Sequence, residues 1–299
     1  MSLFDRIALA TLPLLPRPLM RSLASRYIAG ETLESALAKL AELRGRGFEG
    51  IVDLLGEDVT KETEARAVAA TYAALVDAIV AAGMHTYVSI KPTHVGLRLS
   101  EELADELYAG LVHHCQPHGI FLRVEMEDHT TTDATLRVFE RLREISDRVG
   151  LVLQSRLLRT LEDIDRLAPG PLDVRMVKGI YLEPASVAHV DVLPIRKAFV
   201  ECTKRLFERG AVVAMATHDE ILAEELFLLC EDMRVEPERH ELRVLLGVRE
   251  RLWQSWQRAG RRVRVYVPYG PEWRAYSTRR LKRNPQILRH VMRDLFMRR

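Results

Sequence analysis

Cysteine is scarce in this 299-residue chain: Cys115, Cys202 and Cys230 are scattered, with no C-x-x-C pair and no histidine cluster beside them. That spacing argues against a disulfide framework or a zinc site and fits a reducing compartment, so the thiols are expected in the core and the protein in the cytoplasm. Net charge is almost absent as well. Lys+Arg total 44 against 42 Asp+Glu, a formal +2, which gives no global case for nucleic acid as a partner. No apolar run is long enough to span a bilayer. The N-terminal residues Phe4, Ile7, Leu9, Leu12, Leu14 and Leu15 are apolar, but Asp5, Arg6, Pro13 and Pro16 interrupt them and no clear cleavage site follows. They read as a packed amphipathic segment rather than a signal peptide. A G-x-S-x-G elbow is also missing, which removes the main support for a hydrolase of that type. His113 and His114 are adjacent and diverge on a helix, and His85, His94, His118 and His129 lack ligand spacing, so no metal site is expected. Gly45, Gly47 and Gly50 match G-x-G-x-x-G only formally. They follow a helix and enter a strand, the reverse of a dinucleotide fingerprint.

What the chain does have is 47% hydrophobic residues, enough to bury roughly three quarters of its unfolded surface. Short apolar runs alternate with longer stretches of helical period. Strands are expected near Gly50 to Leu55, Thr86 to Lys91, Ile120 to Met126, Leu151 to Gln154, Leu172 to Lys178, Val212 to Thr217, Glu241 to Leu246 and Val263 to Val267. Helices are expected at Thr32 to Arg44, Glu64 to Ala82, Glu101 to His114, Ala134 to Val149, Ile195 to Arg209 and Asp219 to Cys230. Alternation of this kind predicts an α/β fold, a (β/α)8 TIM-type barrel of about 250 residues, with a doubly wound open sheet as the alternative. No linker divides the chain, so residues 1–46 are expected as an N-terminal helical extension on a single barrel domain of 47–299.

In such a barrel the active site lies at the C-terminal strand ends. Polar residues collect there: Asp53, Lys91, Glu125, Glu127, Asp128, Gln154, Arg175, Lys178, Thr217, His218 and Tyr266 lie within or just beyond apolar runs. A buried charge is costly unless it is paired or used. The last of these runs, YVPYG from Tyr266, leads into a helix bearing Tyr276, Arg279 and Arg280. Residues at i, i+3 and i+4 share a helical face, so the three can converge on one small anion, and guanidinium grips carboxylate as a two-pronged fork. A solvated basic face is the plainer alternative.

The segments VSIKPTHVGL, VEMEDHTTTDATL, VLQSRLLRT, VRMVKGIYLEP, MATHDE and YVPYG...RRL occur in one order from about Asp53 to Arg280. Together they resemble a bacterial-type, monofunctional proline dehydrogenase. The resemblance implies a (β/α)8 barrel with a final helix carrying paired arginines, non-covalently bound FAD, and oxidation of L-proline to 1-pyrroline-5-carboxylate. It implies that Lys91, Arg279 and Arg280 clamp the carboxylate, that Tyr266, Tyr276 and Leu245 wall the ring, and that Glu125 orients the basic cluster. It also places Arg175 beside the flavin N5, Gln154 near the pyrimidine edge, and Val177, Lys178, Gly179, Thr217 and His218 along the cofactor. Electrons would pass to a quinone, and the arginine-rich stretch from Arg261 to Arg299 suggests peripheral contact with the inner face of a membrane.

The chain departs from the family pattern at three positions. Glu125 stands where an aspartate is usual, Arg243 replaces a usual Gln, and Arg283 a usual Glu. A hydroxyproline or other cyclic imino acid dehydrogenase, and a non-catalytic imino-acid-binding barrel, are the alternatives. Tyr266 favours proline over a hydroxylated ring, which needs space and a polar partner.

Overall fold

The computed structural model describes residues 25–274, and the expected closed barrel is present. β1 (Glu49–Leu54), β2 (Tyr87–Ile90), β3 (Leu122–Val124), β4 (Val149–Gln154), β5 (Asp173–Val177), β6 (Val212–Ala216), β7 (His240–Leu245) and β8 (Val263–Tyr269) pair in chain order. All pairings are parallel, and β8 returns to β1 over a register running from Glu49 opposite Arg264 to Leu54 opposite Tyr269. Helix α1 (Leu33–Gly45) precedes β1; α2 (Glu62–Ala81), α3 (Glu101–Cys115), α4 (Thr132–Ile145), α5 (Thr160–Arg166), α6 (Val192–Glu208), α7 (Glu220–Asp232) and α8 (Glu250–Arg258) follow β1 to β7 in turn. The apolar N-terminal segment and the arginine-bearing C-terminal helix fall outside the described residues.

Local chemistry sets the helix ends. Thr32 caps α1, its hydroxyl accepting from Ser35 N while the Ser35 hydroxyl accepts from Thr32 N, a reciprocal arrangement that satisfies two otherwise orphaned donors. Ser100 caps α3 and Asp219 caps α7 by the one-way form of the same contact, their side chains accepting from Leu103 N and Leu222 N. One helix ends earlier than its periodicity predicts: α4 stops at Ile145 rather than reaching Val149. Ser146 is extended and its hydroxyl accepts from Arg148 N, so Val149 is free to begin β4. The short helices α5 and α8 are too brief for a periodic signal.

Successive strand residues alternate between the two sides of the barrel wall. Facing out, Val52, Ile90, Val124, Leu151, Leu153, Val174, Met176, Met215, Val244 and Val267 are buried beneath the helices in one core. The three cysteines are buried there too. Facing in, the wall is polar. A lower layer is built from Arg123, Asp173, Glu241, Arg243 and Arg264 around Tyr87. The Arg123 guanidinium donates to Asp173 Oδ1 at 2.6 Å and to the Asp173 and Leu151 carbonyls at 2.9 and 3.1 Å. Arg264 Nε donates to Glu241 at 3.2 Å, and the Arg243 and Arg264 guanidiniums lie 5.0 and 3.8 Å from the centre of the Tyr87 ring. Burial alone would raise the Glu241 pKa, but Arg243 and Arg264 hold it near 2. Burial, with Arg264 and Arg123 adjacent, lowers Arg243 to about 9 despite Glu241. The layer packs tightly against β4: a Cβ at Gly150 would lie 2.4 Å from Arg123 Nη1 and 2.8 Å from the Asp173 carbonyl, so β4 needs glycine there. Among the described residues, no helix is long and apolar enough to cross a membrane.

Candidate active site

Above the arginine layer, at the C-terminal strand ends, a second set of charges faces inward. Arg175, on β5, lies over the Tyr266 ring of β8 at 5.3 Å and donates through Nη2 to Glu125, just beyond β3. The other Glu125 oxygen accepts from the Ser89 hydroxyl on β2. Three strands therefore fix one carboxylate, and that carboxylate fixes the arginine. A buried pair of this kind is strongly destabilised when one partner is removed, because the other is left as an uncompensated charge. The extra methylene of Glu125 is accommodated, since the side chain still spans from Ser89 to Arg175.

Lys91 follows β2 and donates to the Gly56 carbonyl at 3.0 Å. Burial works to lower its pKa, but the carboxylates of Asp53, Glu57, Glu127 and Glu125 outweigh it and the net shift is upward. Lys91 is thus held as a cation. Glu127 accepts from the Thr93 backbone and hydroxyl, both at 2.8 Å; burial raises it to about 7. Asp53 differs. It closes the inward face of β1 at 1% exposure, and neither of its oxygens has a formed hydrogen bond among the described residues. Burial raises its pKa to about 6; Lys91, the Tyr266 hydroxyl and Arg175 pull it down, and Glu125 pushes it up.

The residues expected along a cofactor occupy the neighbouring strand ends. Gln154 ends β4, 1% exposed, with Nε2 donating to the Glu127 carbonyl at 2.6 Å. That fixes the amide orientation and points its oxygen at the chain beyond β5. Gly179 lies there with φ +95°, and a Cβ on it would meet Gln154 Oε1 and Arg156 Cδ, both at 2.7 Å. Only glycine permits this approach. Val177 ends β5 and Lys178 follows it, paired with Asp219; Arg196 grips the same carboxylate at 2.6 and 2.7 Å. The Thr217 hydroxyl accepts from Asp219 N, and His218 Nε2 accepts from Leu245 N at 2.9 Å, joining the ends of β6 and β7. A flat heteroaromatic cofactor suits this donor set. Gln154 offers a fixed acceptor for a ring N–H, and Arg175 retains a buried Nε with no hydrogen-bond partner among the described residues, a donor for an anionic ring edge.

The structure thus brings together Lys91, Glu125, Arg175 and Tyr266 on one side and Gln154, Val177, Lys178, Gly179, Thr217, His218 and Leu245 on the other. Tyr276, Arg279 and Arg280 lie outside the described residues. Sequence reasoning gave no role to Ser89, Thr93 or the Gly56 carbonyl, which position Glu125, Glu127 and Lys91. Ser89 carried one usable signal, a polar residue on the inward face two positions before Lys91.

The buried Asp53 carboxylate has a consequence for stability. Its folded pKa is raised from 3.8 to about 6, so the folded state is penalised as pH rises through about 6 and the penalty vanishes below the unfolded value, at about pH 4. Asp53→Asn removes the charge. Thermal unfolding of the ligand-free variant is expected to show a gain over wild type at pH 8 of up to roughly 3 kcal/mol, or several degrees, that disappears by about pH 4. A variant less stable than wild type at both pH values would contradict this.

Comparison with known proteins points the same way as the geometry. A family model for proline dehydrogenase matches residues 36–293. The proline dehydrogenase of Deinococcus radiodurans is 35% identical over 289 residues, covering 94% of this chain and 92% of the relative. Proline dehydrogenase 1 of Bacillus subtilis strain 168 is 30% identical over 272 residues, covering 91% of this chain and 90% of the relative. Among solved structures, proline utilization A from Bdellovibrio bacteriovorus, inactivated by N-propargylglycine, superimposes with a TM-score of 0.82 at 23% identity. It covers 87% of this chain, which spans about a third (32%) of that longer protein, and shows the shared fold. With the match running from α1 through the whole barrel and beyond it, the chain belongs to the proline dehydrogenase family.

Proposed function

We propose that this protein binds L-proline at the mouth of the barrel and oxidises it to 1-pyrroline-5-carboxylate, the first step of proline catabolism. The observation that carries this reading is the ring of inward charges at the strand ends, Lys91, Glu125 and Arg175 with Tyr266 among them, in a chain that belongs to the proline dehydrogenase family. The cofactor is a flavin, here FAD held without a covalent bond, and it supplies the acceptor for the hydride that leaves the substrate. Gln154, Arg175, Val177, Lys178, Gly179, Thr217 and His218 would hold it.

Each part of the substrate finds a matching group. The carboxylate goes to Lys91, kept cationic by the acids around it, together with Arg279 and Arg280. The apolar ring is walled by Tyr266, Tyr276 and Leu245. Arg175, locked by Glu125, supplies fixed positive charge where negative charge develops as electrons leave the substrate, and preorganised charge of this kind costs no reorganisation during reaction. Glu125 acts by holding Arg175 in place, and the two barrel layers exclude water from beneath the site.

Electrons then pass to a quinone, and we infer that the arginine-rich stretch from Arg261 onward rests against an anionic membrane surface. Sedimentation with anionic liposomes is expected to carry the protein into the pellet at low salt; protein left in the supernatant would count against that contact. For the carboxylate clamp, Arg280→Met is expected to raise the KM for L-proline about ten- to hundredfold, the equivalent of one lost charge-assisted interaction, with flavin content unchanged. An unchanged KM would remove Arg280 from the clamp.

A further inference from the structure

The carboxylate clamp leaves one chemical problem unassigned. Proline enters as a secondary ammonium ion, and a nitrogen that carries no lone pair cannot form the C=N bond of the product. A group in the pocket must take one N–H proton. The inference below rests on the proline-oxidation reading.

The described inward face offers few acceptors, and most are already committed. Lys91 is held protonated and donates to the Gly56 carbonyl. Glu125 has one oxygen on Ser89 and the other on Arg175. Glu127 has both oxygens on Thr93. His94 is buried against Gly56, where a Cβ would lie only 2.0 Å from its Nε2, and burial with Lys91 nearby lowers its pKa to about 4. Asp53 differs from these: neither of its oxygens has a formed hydrogen bond among the described residues, and the one donor aimed at it is the Tyr266 hydroxyl.

Its position is also right. Asp53 pairs in register with Ser89 on β2 and with Pro268 on β8. Tyr266 lies two residues before Pro268 and Lys91 two beyond Ser89, so both are diagonal neighbours of Asp53 on the inner wall. The carboxyl therefore sits between the cation assigned to the substrate carboxylate and the ring assigned to the substrate wall. We propose that Asp53 is the base that accepts the ammonium proton of bound proline.

In this step the N–H bond breaks, its proton goes to Asp53 Oδ, and its electron pair becomes the amine lone pair. That pair is then free to form the C=N bond as C5 gives up a hydride, which a bound flavin would accept, leaving the protonated imine and a protonated Asp53. The cations Lys91 and Arg175 favour release by repelling the ammonium charge. The groups facing Asp53 also set its titration: Lys91, Arg175 and the Tyr266 hydroxyl favour the carboxylate, and Glu125 opposes it. From outside the wall come the phenols of Tyr72 on α2, Tyr108 on α3 and Tyr269 on β8, each of which couples to the Asp53 charge. Burial leaves the carboxyl titrating near 6, a value that keeps it charged at neutral pH yet basic enough to work.

The test is anaerobic flavin reduction by L-proline, followed by stopped flow between about pH 5 and 9, for wild type, Asp53→Asn and Asp53→Ala. Wild type is expected to show a rising limb near pH 6, and Asp53→Asn to lose that limb and slow by about a hundredfold or more. Formate is expected to restore Asp53→Ala at least about tenfold by replacing the missing carboxylate. Calorimetry with tetrahydrofuran-2-carboxylate, which keeps the carboxylate but has no N–H, is expected to give affinities within about twofold for all three proteins. Asp53→Asn that reduces within about threefold of wild type with its limb intact would overturn the proposal. So would loss of analogue binding together with rate, which would make Asp53 a structural group. A wild-type flavin that L-proline does not reduce would overturn the underlying reading, a result distinguishable because no variant is involved.

Discussion

The Arg175–Glu125 pair crosses the barrel mouth and ties β5 to β3, while Ser89 extends the same linkage to β2 and the Tyr266 ring to β8. Everything else at the site is arranged around that fixed positive charge. Its geometry depends on strand register: without Ser89 opposite Arg123 in the β2–β3 pairing, the Ser89 hydroxyl would not meet Glu125. A buried charged pair is weak evidence of stability, since two apolar residues would often serve the fold as well. Its presence in the barrel centre is better explained by what the charge does there.

The lower arginine layer explains why the mouth can be so polar. Most barrels fill this space with branched apolar side chains. Here Arg123, Arg243 and Arg264 share it with Asp173 and Glu241, and Tyr87 presents its ring to two of the guanidiniums. The floor of the site is thus itself cationic. It lies beneath Lys91, Arg175 and the Tyr266 hydroxyl, the groups that favour the charged form of the buried Asp53 carboxyl. The apolar core between strands and helices carries the stability that such a charged interior does not.

Much of this was legible in the sequence because a charge inside an apolar run is rare and therefore informative. Lys91, Glu125, Gln154, Arg175 and Tyr266 stand out for that reason, and the eight apolar runs place them within or just beyond the strands. Ser89 and Thr93 did not stand out, because their roles depend on which strand lies alongside. The Arg123–Asp173 contact joins residues fifty positions apart, and no local pattern announces it. Arg243 was visible only as an unusual residue; its partners Glu241 and Arg264 give it a place. The early end of α4 turned on one serine in extended conformation, which a helical period running on to Val149 concealed.

The most direct measurement is the visible spectrum of the purified protein during anaerobic titration with L-proline. Bleaching of a bound flavin is expected, with the yellow bands lost in proportion to added substrate. A flavin that stays oxidised in excess L-proline, or a protein that takes up no flavin at all, would contradict the proposal that this ring of inward charges exists to oxidise proline.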